Sequence, residues 1–231
     1  MQNTPDLDPR VIDALWRVVA EHGWHGVTFR RIADESGESL ESLRGLGASP
    51  FALLAAHARA VDRAVLAGTV PNGGGTVRDR IFDVLMRRFD ALAPHREGLL
   101  RFQADLRRDP LLALALSPGL MASMAWMLEA AEVDTAGFTG GLRVQGLVGV
   151  WLSVSRAWVN DDSADLGPTM SALDKALDQA ERVARTLRLP DGDLAAPPPA
   201  EDADLPAAGE MEPPSPPEAP NPYTSIGPAT P

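Results

Sequence analysis

Apolar residues recur at helical spacing through most of the chain. Val11, Leu15, Val18 and His22 fall at i, i+4, i+7 and i+11, one face of a helix that Pro9 opens and Gly23 ends. Thr28 caps a short helix predicted over Phe29–Glu35, closed by Gly37, and Ser39 caps another from Leu40 to about Leu46. Ser49-Pro50 starts a fourth helix that runs to about Ala67, with Pro50 at its first position. Thr76 opens a fifth, with Ile81, Leu85, Phe89 and Leu92 on one face. Pro94 restarts the chain, giving Leu99, Phe102 and Leu106 before Asp109-Pro110. Two apolar segments flank Pro118, and helices from about Gly140 to Trp158 and Pro168 to Leu187 complete the set. No stretch alternates with period two for long enough to propose a strand, so the fold class is all-α.

Composition changes sharply after Leu189-Pro190. Residues 191–231 are rich in Pro, Ala and acids, carry eight carboxylates and have no Lys or Arg. A segment so poor in large apolar residues does not offset the entropy of ordering, so a disordered tail is expected there. The net charge of −11 is therefore unevenly placed: the first 190 residues hold 24 acids against 21 bases. That near-neutral body is not the basic surface of a non-specific nucleic-acid binder. The chain has no Cys, which excludes disulfides and thiolate metal sites and suits a reducing compartment. Met1–Asp6 lacks the basic start and apolar run of a signal peptide, so a cytoplasmic location is expected.

Pro110–Leu128 contains no charged residue and is long enough to cross a bilayer. Ser117-Pro118-Gly119 interrupts it, and basic flanks stand on one side only, at Arg107-Arg108. A buried helix pair is expected there, with no stable membrane insertion. Gly68–Gly75, with three consecutive glycines, reads as a flexible break.

Two short helices separated by Ser36-Gly37-Glu38 form a helix-turn-helix pattern. The string from Gly23 to Ser39, with Thr28 before Phe29-Arg30-Arg31-Ile32-Ala33 and Gly37 at the turn, resembles the TetR family of transcriptional regulators. The spacing to Leu43 and to Ala52-Leu53-Leu54 fits as well. The resemblance implies a three-helix DNA-binding head over residues 1–50, a helical ligand-binding and dimerising body over residues 51–190, and the acidic tail over residues 191–231. It implies a double-stranded DNA operator, a small apolar or lipid-like ligand and a homodimer as partners. Thr28, Arg30, Arg31, Ser39, Leu40, Ser42 and Arg44 are the candidate DNA contacts, to phosphate and to base edges. The sequence departs from the family where its recognition helix carries aromatic residues followed by a Lys; Arg44, Leu46, Gly47 and Pro50 stand there. Residues 1–60 carry eight acids and six bases, a poor balance for neutralising phosphates.

A second segment, Trp158-Val159-Asn160-Asp161-Asp162-Ser163 followed by Thr169 and Leu173-Asp174, resembles the TetR-fold lipid-binding accessory proteins of ubiquinone biosynthesis. Those proteins do not act as repressors, so this resemblance implies a vestigial head and a lipid pocket. The acidic tail stands where their membrane-binding helix would lie, and anionic lipid would repel it.

Met121, Met124, Trp126 and Met127 cluster in one segment, and Trp151 and Trp158 lie seven apart in another. With Phe89 and Phe102 these are the candidate lining of an apolar pocket, although such side chains also fill cores. The dimer candidates are small residues on one stripe, Gly146, Gly149 and Ser153, with Leu173, Leu177, Ala180 and Ala184 on an a/d seam of the last helix. No catalytic set emerges. His22 and His25 are the one close histidine pair, and no carboxylate cluster completes a metal site. No enzyme activity, metal or cofactor is expected.

Overall fold

Side-chain caps set most helix starts. In the computed structural model, which describes residues 8–46, 49–70, 74–187, 189 and 192–194, Asp8 accepts from the Arg10 amide at the start of α1 (Pro9–His22). Thr28 and Ser39 cap α2 (Phe29–Ser36) and α3 (Leu40–Gly45), accepting from the Arg31 and Ser42 amides. Ser49 caps α4 (Pro50–Ala67), and Thr76 forms a reciprocal capping box with Asp79 at α5 (Val77–Leu92). Then come α6 (Arg96–Arg108), α7 (Pro110–Ala130), α8 (Gly137–Val159) and α9 (Gly167–Thr186). Among the described residues there is no strand, only one isolated bridge between Val133 and Asp193. The fold is all-α.

Two apolar cores follow from the helical stripes. The first gathers Val11, Leu15, Trp16, Ile32, Leu43 and Leu53 from α1–α4, completed by Phe102 of α6 and Leu112 of α7. The second gathers Val61, Leu85, Phe89, Met124, Leu147, Val154, Trp158 and Leu173 from α4, α5, α7, α8 and α9. Each fully buried side chain of this size contributes about 1.5–3 kcal/mol. Since α6 and α7 finish the first core, the N-terminal helices are built onto the rest of the chain.

Three sequence expectations are corrected. Pro118 does not split its segment: α7 runs unbroken through it. Proline removes the amide that the Leu114 carbonyl would accept from, and the Ser117 hydroxyl, at 2.8 Å, takes that place. Nor is α7 buried as a helix pair would be. It is long and apolar enough to cross a membrane, yet only 28% of its most apolar window is buried. Third, residues 192–194, assigned to the tail, are clipped onto the α7–α8 loop. The Asp134 amide donates to the Gly192 carbonyl, the Leu194 amide to the Glu132 carbonyl, and Arg80 of α5 pairs with Asp193 at 2.5 Å. The rest of the expected tail, Gly47 and the central residues of the glycine break lie outside the described residues.

Candidate functional site

The α2–turn–α3 unit is held by local chemistry. Gly37 closes α2 in the left-handed region (φ 75°), which an L side chain adopts only with strain, and its amide donates to the Ala33 carbonyl. Ile32, Ala33 and Leu43 turn inward, while Thr28, Arg30, Arg31, Ser39, Leu40 and Arg44 are exposed and Ser42 is half-buried. The predicted DNA contacts thus share the solvent side of two adjacent helices. Four of them are engaged locally: Arg31 donates to the Gly26 carbonyl at 2.5 Å, Ser42 donates to Glu38 at 2.9 Å, and Thr28 and Ser39 cap α2 and α3.

Ion pairs tie part of the acidic charge of this unit to α1. Four acids (Asp34, Glu35, Glu38, Glu41) stand among α2, α3 and their turn. Arg17 of α1 pairs with Glu35 at 2.5 Å, and Arg10 lies 3.5 Å from Glu38. The carboxylates that remain without an ion pair among the described residues are Asp34 and Glu41, against Arg30, Arg31 and Arg44. Arg10 is also held by Asp8 at 2.7 Å, so it does not cancel both carboxylates, and the surface is close to neutral. Phe29, 42% exposed beside Arg30, adds an apolar side chain to this surface.

The predicted pocket residues separate. Phe89 stacks on Trp151 with ring centroids 4.7 Å apart and lies 5.6 Å from Trp158, with Met124 buried and Met121 packed against the same core. Phe102 does not join them. It belongs to the first core, against Trp16 and Trp24, because α6 packs on α1. Trp126 is 56% exposed: its neighbours Met124, Met127 and Leu128 take the inward face of α7. A depression of about 480 Å³ that sequence did not suggest lies at the N-terminal end of α7, lined by Trp24, Val27, Pro50, Phe51, Leu111 and Leu112 among others.

A buried charged group stands in the second core. Arg88 of α5 donates to Asp62 of α4 at 2.5 Å, and Ser123 of α7 donates to the same carboxylate oxygen at 2.6 Å. The guanidinium lies over the Trp151 ring, 5.2 Å from its centroid. The signal was legible: Arg88 falls on the stripe Ile81, Leu85, Leu92, where an apolar residue belongs.

The predicted dimer residues also divide. Leu173 and Leu177 are buried in the chain's own core, so these two positions of the α9 seam are covered within the chain. Ala180 and Ala184 are half-buried, and Gly146, Gly149 and Ser153 line the outer face of α8. A Cβ built on Gly146 or Gly149 meets no atom within 4 Å. The segment Asp161–Thr169 forms a tight joint before and into α9. Asp161 accepts from the amides of Ser163 and Thr169 and from both hydroxyls. Burial works to raise its pKa, but those hydrogen bonds outweigh it and hold the group at about 2.

Among the described residues no group of three His, Cys, Asp or Glu side chains is placed to hold a metal ion. The chain matches no family model and no curated protein.

Proposed function

We propose that the chain is a TetR-like transcriptional regulator, a homodimer that binds a double-stranded operator through α2 and α3 and a small apolar ligand through the helices behind them. The observation that carries this reading is the joint placement of Thr28, Arg30, Ser39, Leu40 and Arg44 on the solvent side of two helices related by the Gly37 turn. Thr28 and Arg30 at the start of α2 suit phosphate contacts, and Ser39, Leu40 and Arg44 suit a recognition helix lying in the major groove. Pairing of Glu35 with Arg17 of α1 offsets one of the charges that would repel DNA.

Dimerisation through α8 is supported by its helix-interior glycines. Each glycine there costs roughly 1 kcal/mol relative to Ala, and no neighbour within the chain requires Gly146 or Gly149. Phe138, 82% exposed, and Leu152 are apolar residues on the same helix that a second subunit would cover. Apolar ligand binding is supported by the Phe89–Trp151–Trp158 ring cluster and the adaptable methionines beside it.

The rival reading is a lipid-binding accessory protein with a vestigial head. The exposed apolar face of α7, from Leu111 and Leu114 to Trp126, favours it. Selection of genomic fragments on the immobilised protein at two salt concentrations separates the two. A regulator retains a defined sequence at the higher salt; an accessory protein retains none and co-purifies with lipid in native mass spectrometry.

A further inference from the structure

We infer that the ligand of the second core carries an uncharged hydrogen-bond acceptor, a carbonyl or ether oxygen on an otherwise apolar frame, and that Arg88 and Ser155 read it. This rests on the apolar-ligand reading given above and narrows its chemistry.

Arg88 is 5% exposed, and Asp62 and Ser123 are as deeply buried. A buried ion pair is rarely more stable than apolar residues of the same volume, because both charges give up their water. Stability is therefore a weak reason for a charged pair inside a core of Val, Leu, Phe and Met. The pair is also incompletely bonded. One terminal nitrogen of Arg88 meets Asp62 and approaches the Met127 sulfur at 3.7 Å, but the buried Nε–H has no acceptor. The buried hydroxyl of Ser155, one turn beyond Trp151 on α8, has no partner either. The guanidinium covers the ring of Trp151, which stands four residues before Ser155 on α8. Leaving such groups unpaired in an apolar setting costs free energy that a ligand can recover.

Charge balance selects the ligand. Arg88 and Asp62 together are neutral. A carboxylate or phosphate brought to Arg88 would meet Asp62, whose oxygen already serves Arg88 and Ser123. A cation would meet the guanidinium, and a hydrocarbon would leave the Nε–H and the Ser155 hydroxyl unpaired. A neutral oxygen acceptor takes the Nε–H without adding charge, and its apolar frame suits the Phe89–Trp151 stack. Met124 and Met127, unbranched and adaptable, are the side chains that yield room for it.

The test titrates the full chain with methyl octanoate, octanoate and octane, followed by tryptophan fluorescence. The ester is expected to bind about tenfold more tightly than octane and octanoate, the factor that one hydrogen bond to a charged donor supplies. Ser155→Ala, which removes no existing hydrogen bond, should reduce that preference. Asp62→Leu combined with Arg88→Met, which removes both charges together, should abolish it while keeping helicity by circular dichroism. Equal binding of all three probes, tightest binding of octanoate, or an unchanged preference in either variant overturns the inference and leaves the apolar-ligand reading in place. Binding of none of the three overturns that reading itself.

Discussion

The backbone amide of Trp24 donates to the carboxylate of Asp105 at 2.7 Å, across 81 positions of sequence, and the carboxylate is nearly buried. This bond joins the turn after α1 to the C-terminal half of α6, where Trp24 also packs on Phe102 with ring centroids 5.0 Å apart. The helix-turn-helix is therefore anchored to the remainder of the chain by a buried polar contact as well as by a shared core.

Removing that anchor should loosen the N-terminal helices. Asp105→Ala strands a buried amide and is expected to cost about 1–3 kcal/mol in urea unfolding. Gly23→Ala should also destabilise: Gly23 has φ 70°, and an added Cβ would lie 2.8 Å from the Asp105 carboxylate oxygen. Melting at the wild-type temperature in both variants would mean that the contact contributes nothing.

Acid should weaken the fold through His57. Its ring is buried, and burial first, then the neighbouring His95 and Arg88, push its pKa down to about 3, with Asp13 opposing. A histidine with a folded pKa below its unfolded value of about 6.5 contributes stability above that value and loses it as pH falls toward the folded pKa. The slope contributed by this one group approaches about 1.4 kcal/mol per pH unit between those limits. Comparing urea midpoints at several pH values for wild type and His57→Phe isolates it; identical pH profiles would contradict the assignment.

Asp161 should act in a lower window. Its depressed pKa of about 2 means that its contribution is complete above the ordinary carboxylate value of 3.8 and fades as pH drops to about 2. Asp161→Ala leaves the Thr169 amide at the start of α9 without its acceptor and is expected to cost about 1–3 kcal/mol at neutral pH. The difference between variant and wild type should shrink at the acid end of the titration.

The clip at residues 192–194 distinguishes two truncations. A chain ending at Leu189 loses the Arg80–Asp193 pair and the backbone bonds to Glu132 and Asp134, so it should melt below a chain ending at Ala195. Asp193→Ala, which removes the carboxylate that Arg80 meets, should lower the melting temperature of the longer chain toward that of the shorter. Equal melting of the two truncations would show that the clip is not stabilising.

Local chemistry made part of this structure readable in advance. Thr28, Ser39, Ser49 and Thr76 announce helix starts because a side-chain oxygen must satisfy the first amides, and Gly37 announces a turn that needs positive φ. What sequence periodicity does not tell is which element covers a given stripe. The 3-4 spacing of Leu173 and Leu177 reads equally as an intermolecular seam or as a face for α8 and α5, and the structure places it on its own core. Pro118 reads as a break because its lost hydrogen bond is visible in sequence, whereas the Ser117 hydroxyl that replaces it is visible only in three dimensions. Residue type alone groups Phe102 and Trp126 with Phe89; the direction each helix presents to its neighbours separates them. Arg88 was visible as a charge on an apolar stripe, but its partners Asp62 and Ser123, 26 and 61 positions apart from Arg88 and Asp62 respectively, were not.

Operator binding by α2 and α3 is tested most directly by the salt dependence of binding, followed by fluorescence anisotropy. Wild type, titrated with its selected fragment and with random DNA, should prefer the fragment at physiological salt. Arg30→Ala and Arg44→Ala, neither of which breaks an ion pair among the described residues, should each weaken binding and reduce the slope of log K against log salt by about one unit. Equal affinity for the fragment and for random DNA, with slopes unchanged in both variants, would contradict the account.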